Sequence, residues 1–430
     1  MRMTVPVTVY VFWKDLYFMA AGEKTKLHIV RPDPEAEQRI DREHRKKRVR
    51  RLLIVVIIVA AVIVVFFVQR HFRSYDSYHV YASEERYDTE TTRFTTFAGK
   101  LVRYSTDGAT CTDTDNDAVW VVSYDMGSPS AVVCNSYLLI ADISGKTLTV
   151  VDTEGETYEI TTNLPILRAD IAENGRVAVL TTEGDICYLS VYDPEGNEVA
   201  GGEFHDGSGG YPMDIALSDD GDCLALAALT IDSGESSSVI SFYDFSGESQ
   251  DEDSSAESES GGTQESSYTY EGTVIPDIEF VSSDSLLAYG DDRVILFGDT
   301  AGGQEPTVIE PDSQIKAVFS SDSYFGLLTR SGGEGSGNAV RLYKTDGTEA
   351  KTISTGAQYS GAQFLDSGEI CLTNGSVCAI YTVNGHCKYY GKSDSDFYEV
   401  VSTGFFRRYQ FARQGTTELV GLRGLHFSAD

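Results

Sequence analysis

Short apolar runs alternate with glycine-bearing turns through most of the chain, and one phrase keeps returning. An aromatic or aliphatic residue closes a run, three variable residues follow, and then comes Gly. The phrase stands at Tyr104 to Gly108, Val151 to Gly155, Tyr192 to Gly196, Tyr243 to Gly247, Tyr343 to Gly347 and Tyr381 to Gly385. Gly302 fills the gap between the fourth and fifth, and successive glycines lie 38 to 55 residues apart. A second phrase precedes an apolar run within the same units: Glu173-Asn174-Gly175, Asp219-Asp220-Gly221 and Asp366-Ser367-Gly368. At Ser283-Asp284 and Asp322-Ser323 its final Gly is missing. Gly and Asn tolerate the positive φ of tight hairpins, so both phrases read as turns. Two such turns per unit imply about four strands per unit, and a period of about 40–50 residues marks propeller blades.

The pattern therefore predicts an all-β protein: a β-propeller of about seven (six to eight) four-stranded blades over residues 92–430. A weak further copy stands at Phe411 to Gly415. Each sheet has an apolar face it cannot bury alone, and stacking blades around an axis covers both faces. The ring is expected to close where strands near 92–104 complete a sheet begun by 399–420. An open stack of sheets, or two β-sandwiches, fits the spacing less well. Residues 246–267 are acidic and Ser-rich without a large apolar side chain, which predicts a disordered loop. The Gly/Ser stretch 331–338 reads as a smaller loop.

A different pattern occupies Leu52 to Val68, seventeen consecutive residues without a polar side chain. As a helix they would cover roughly 25 Å, and flanking Arg stems can extend the reach. Residues 39–51 hold eight Lys or Arg, against Arg70 and Arg73 on the far side. That bias predicts a signal anchor with its N-terminus in the cytoplasm. Gln69 to Arg73 offers no small-residue cleavage site. The expected layout is a basic cytoplasmic tail at 1–51, a transmembrane helix at 52–68 in the lipid bilayer, a linker at 69–91 and an extracytoplasmic propeller. Met19 reads as a tidier start than Met1, with residues 1–18 untranslated.

The net charge of −32 hides two unlike halves. Residues 1–73 carry fifteen Lys/Arg and seven Asp/Glu, which leaves 19 basic and 59 acidic residues after them, a balance of −40. Such a surface disfavours nucleic acid and favours cations or basic partners, besides keeping the domain soluble. Seven cysteines all fall after the apolar run. Cys187 and Cys223 sit in strand-like runs; Cys371, Cys378 and Cys387 lie on neighbouring strands where pairing is open. An odd count leaves at least one thiol free or intermolecular.

Catalytic and metal motifs give little. Gly145-Lys146-Thr147 resembles the end of a phosphate loop, but Ile140 holds the required Gly position and a strand follows. Gly391-Lys392-Ser393 fails likewise. Asp113 to Asp117 resembles half a calcium loop, with Ala118 in place of the turn Gly and Tyr124 at the closing position. The four histidines after residue 73, His79, His205, His386 and His426, show no metal-ligand spacing. Catalytic residues stay unknown, and no cofactor-binding or metal residues are expected.

A Lys/Arg-rich tail with the phrase Arg31 to Glu35, one apolar run and a Gly-turn β repeat together resemble the clostridial proteins grouped as domain of unknown function 5711, over roughly residues 25–400. The resemblance implies a surface-anchored, propeller-like domain and carries over no functional residue. The repeat is also loosely similar to quinoprotein-type and WD40-type propellers, without the Trp docking motifs of the former or the Gly-His and Trp-Asp signature of the latter. The expectation is a membrane-anchored binding or interaction module with a protein or envelope-polymer partner. The alternatives are a cell-envelope hydrolase or lyase at the channel mouth and, more weakly, signalling through the tail.

Overall fold

The computed structural model describes residues 49–63, 72–205, 210–245, 263–300, 304–330 and 337–424. The chain divides into a unit up to His71 and a unit from Phe72 onward. In the first, residues 49–63 are helical, and residues 64–68 of the expected span lie outside the described residues. Among the described residues no helix is long and apolar enough to cross a membrane.

The second unit is an eight-bladed β-propeller. Its strands form eight four-stranded antiparallel sheets. Blades 1 to 7 span residues 93–123, 129–161, 166–205, 211–271, 277–309, 315–354 and 361–392, each with its strands paired in chain order. Blade 8 takes three strands from residues 397–423 and its outermost strand from Ser77–Glu85, which pairs with Thr416–Arg423. The expected closure is thus corrected. Residues 93–105 open blade 1, and the closing strand comes from the stretch expected as linker.

Blade count follows from turn chemistry. The turns between third and fourth strands at Gly155, Gly196, Gly347 and Gly385 all have φ of +81° to +89°. In each, the Gly N–H donates to a carbonyl three residues earlier. Gly155 has a second constraint, since a Cβ there would lie 2.5 Å from the Trp120 side chain. Gly108 does not belong to this set: it sits between the second and third strands of blade 1. The equivalent turn of blade 1 is Asp113 to Asp117, where Asn116 takes φ +68° and donates to the Asp113 carbonyl at 3.1 Å. The half calcium loop of the sequence is therefore the missing repeat turn, with Asn in the glycine position. Gly247 and Gly302 lie outside the described residues. Blade 8 needs no such turn because its fourth strand is N-terminal, so only blades 1 to 7 connect a third strand to a following fourth.

Apolar clusters fill the seams between blades. Seven are large; that between blades 7 and 8 includes Tyr389, Phe397, Tyr409 and Phe411. The seam between blades 8 and 1 holds only Leu101, Val401 and Ala412, with Phe94 against them. Residues 246–262 of the expected loop lie outside the described residues, and the remainder is strand, since Thr263–Glu271 is the outermost strand of blade 4. All seven cysteines are free thiols, and Cys371 and Cys378 bring their sulfurs within 3.8 Å on adjacent strands of blade 7.

Phe411 is fully buried, with Tyr78 and Phe397 ring centroids 5.4 and 5.2 Å away. Phe411→Ala is expected to lower unfolding free energy by about 3–5 kcal/mol, read from urea midpoints, because the seam cannot collapse around the void.

Candidate functional site

The first strands of the blades surround the axis. Those of blades 8, 1, 2, 3, 4 and 5 touch in succession, as do those of 6 and 7. An innermost strand has one unpaired edge, so its amides need other partners. Carboxylates from the neighbouring blade supply several. Asp170 Oδ2 accepts from the Leu217 N–H at 2.7 Å, linking blade 3 to blade 4. Asp214 Oδ2 accepts from the Ile278 N–H at 3.0 Å, linking blade 4 to blade 5. Glu279 accepts from Ser320 Oγ at 2.7 Å in blade 6 and from Tyr289 OH at 3.0 Å in its own blade. Across the ring, Glu399 of blade 8 accepts from Gln363 Nε2 of blade 7 and from the Val400 N–H.

Bulges aim these groups. The strand register shifts immediately before Arg168, Asp214 and Glu399. An extra residue there bends the strand and turns the following side chain out of simple alternation. Arg168 Nε lies 3.5 Å from Asp214 Oδ1. The wall of blades 3 to 5 thus sets Asp170, Asp214, Asp277 and Glu279 against the single guanidinium of Arg168. Asp277 and Glu279 keep part of their surface open toward the axis, while atoms of the neighbouring blades crowd them on the other sides. On the opposite side Phe94 and Tyr398 stack at 5.5 Å, with the Arg86 guanidinium 4.7 Å from the Phe94 centroid.

Enclosure among neighbouring blades raises the carboxyls. Asp170 is pushed up to about 7 by burial, which outweighs the amides of Leu217 and Ile171. Glu399 is likewise pushed up to about 7 by burial, against hydrogen bonds from Gln363 and Val400. Asp214 is raised by burial and by the neighbouring Asp277. Burial raises Glu279 also. Chemically, this wall accepts hydrogen bonds and attracts cationic or amide-bearing groups. Among the described residues no group of three or more His, Cys, Asp or Glu is placed to hold a metal ion.

The motifs weighed in the sequence fall elsewhere. Gly145 and Lys146 form a hairpin turn, and Lys146 Nζ donates to the Asn163 carbonyl at 2.7 Å. Lys392 ends the outermost strand of blade 7. Asp113 Oδ1 is occupied by the N–H groups of Asp115 and Asp117 at 2.9 Å each. His79 lies against Tyr81 (5.2 Å) and His386 against Phe72 (5.7 Å). His426 and the His205 side chain lie outside the described residues. Sequence reasoning missed the bore carboxylates because Asp and Glu are so numerous. The available signal was an acid flanked by apolar residues at the start of a unit, as in Asp214-Ile215 and Ile278-Glu279-Phe280.

Eight four-stranded blades around an acid-lined bore define the protein as an eight-bladed β-propeller. Its sequence matches the profile of a family of unknown function, DUF5711, over residues 71–422, and the chain belongs to that family. The Arg31 to Glu35 phrase lies outside the match. No curated protein matches the chain. Among solved structures, Saccharomyces cerevisiae Sqt1 shares 12% identity at a TM-score of 0.49, covering 82% of this chain and 100% of that one. Kuenenia stuttgartiensis hydrazine synthase shares 12% at 0.45, covering 74% and 100%. Virginiamycin B lyase from Staphylococcus aureus shares 10% at 0.39, covering 81% and 100%. No function is transferred from these likenesses.

The raised Asp170 carboxyl makes stability pH-dependent. The unfolded chain releases this proton near 3.8 and the folded one near 7. Between those values the folded state binds the extra proton, so stability falls as pH rises from about 4 to about 7 and then levels off. Asp170→Asn keeps an acceptor for the Leu217 amide and removes the charge. Its melting temperature is expected to match the parent at pH 4 and exceed it at pH 8; an equal difference at both would remove the electrostatic account.

Proposed function

We propose that this protein is a single-pass, membrane-anchored, extracytoplasmic propeller that acts as a binding module at the cell surface. The observation that carries the reading is the closed eight-bladed ring, which holds two sets of loops and an acidic bore on a rigid frame. Support for the anchor comes from Leu52 to Val68 and from the eight Lys/Arg at residues 39–51. The balance of −40 after residue 73 favours a basic protein or a cationic envelope polymer as partner. Nucleic acid is disfavoured by the same charge.

One observation favours a second reading, a hydrolase or lyase acting on envelope substrate at the channel mouth. Asp170 and Glu399, both raised to about 7, fall in the range suited to proton transfer at neutral pH. A hydrolytic role would be lost in both Asp170→Asn and Glu399→Gln, whereas a binding module would keep partner capture in at least one.

The topology is tested on intact cells. Externally added protease is expected to remove the propeller and spare an epitope placed at the N-terminus. Survival of the propeller under conditions that clear a known surface protein would overturn the placement. Chemical cross-linking before extraction is expected to retain a partner at the propeller.

A further inference from the structure

Blade 8 breaks the charge pattern of its end of the ring. The turn from first to second strand carries a carboxylate in each of blades 3 to 7: Glu173, Asp219, Asp284, Asp322 and Asp366. In blade 8 the same turn reads Thr403, Gly404, Phe405, Phe406 and Arg407, and Arg408 follows it. Phe405 is 67% exposed and Tyr81, on the closing strand beside it, 51%. The Arg408 guanidinium lies 5.0 Å from the Tyr81 centroid and 5.5 Å from that of Phe405. Arg407 lies 5.5 Å from the Tyr75 centroid. Among the described residues neither guanidinium is in an ion pair. Arg73 and Arg423 are exposed at the same edge, where Ser77 pairs with Arg423, and Asp76 is the acid among them.

Exposed aromatic rings with arginines laid over them suit the boundary between water and lipid. The rings enter the headgroup layer, and the guanidinium groups meet phosphates without abandoning carboxylate partners. Chain connectivity points the same way. Phe72 follows the last residue of the apolar run, Val68, by four positions, at most about 14 Å of extended chain. We propose that the edge of blade 8 formed by Tyr81, Phe405, Arg407 and Arg408 docks on anionic phospholipid headgroups of the bilayer that anchors the chain. The inference rests on the anchored reading above. The acidic turns of blades 3 to 7 are repelled by the same headgroups, so the ring sets down on this edge rather than flat on the whole end.

The test uses the full chain in vesicles of phosphatidylcholine and phosphatidylglycerol. A photo-cross-linking p-benzoylphenylalanine replaces Phe405 in one sample. In a control it replaces Ile231, which is 72% exposed on blade 4 near the turn to its third strand, at the opposite end of the ring. Position 405 is expected to yield a lipid adduct, position 231 none. The adduct should fall severalfold when Arg407→Gln and Arg408→Gln are combined, or when phosphatidylglycerol is omitted. Near-ultraviolet circular dichroism checks that the ring of the double variant is intact. A chain that floats with vesicles yet labels lipid no better from 405 than from 231 overturns the docking edge and leaves the anchor standing. Covalent dimers through 405 would assign the patch to a second copy and overturn it too. A chain that does not float removes the anchor, and the docking edge with it.

Discussion

The ring depends on one strand pairing. Ser77–Glu85 lies beside Thr416–Arg423, and without it the last sheet would have only three strands. The N-terminal lead does more than add that strand. The Tyr75 N–H donates to the Lys388 carbonyl at 2.8 Å, and the Tyr390 N–H donates to the Tyr75 carbonyl at 3.1 Å, so the lead also stitches blade 7. At the other end of the strand Arg86 reaches the Arg413 carbonyl at 2.7 Å while pairing with Asp88 at 3.1 Å. Residues about 300 positions apart must find one another before the first and last blades have both faces covered. That places the cost of closure in chain entropy and its return in the seams.

Seams are not equal. Between blades 8 and 1, where the first complete blade meets the last, apolar contact is thin. Polar bonds take its place: Gln410 is fully buried and donates through Nε2 to the Asp113 carbonyl at 3.0 Å and to Asn116 Oδ1 at 2.6 Å. Directional bonds of this kind fix register where greasy contact would not. The Asp113 to Asp117 turn therefore serves twice, as a hairpin of blade 1 and as the acceptor that locks the last blade to it. The inner carboxylates repeat the device closer to the axis: Asp170, Asp214 and Glu279 each accept from a group of the next blade, and Glu399 from Gln363 of the preceding one. The bore's chemistry is thus a consequence of how the inner edges are satisfied.

Much of the architecture was legible because turns are local. Asp152 to Glu156 and Asp193 to Asn197 announce themselves through Gly at positive φ and an Asp that accepts its own loop amides. The same logic failed at Asn116, where a residue that also tolerates left-handed backbone carries a different letter. It failed at Gly108 for the opposite reason, since the right letter stands in another turn. The closing strand was hidden because only one face of it is covered. Tyr78 and Val80 pack inward while much of the rest faces solvent, so its composition reads as linker.

Composition and spacing alone decided that this chain makes many short antiparallel strands in repeating units, that an apolar run with a basic flank precedes them, and that the repeat region is acidic. Each of those rests on residues a few positions apart, whose conformational preferences and burial tendencies need no distant partner. The number eight, the strand that closes the ring, the carboxylates that face the bore and the arginine-covered edge of blade 8 were settled only by the tertiary structure. They depend on which side chains neighbouring blades bring together, and no local preference encodes a contact between residues 75 and 388.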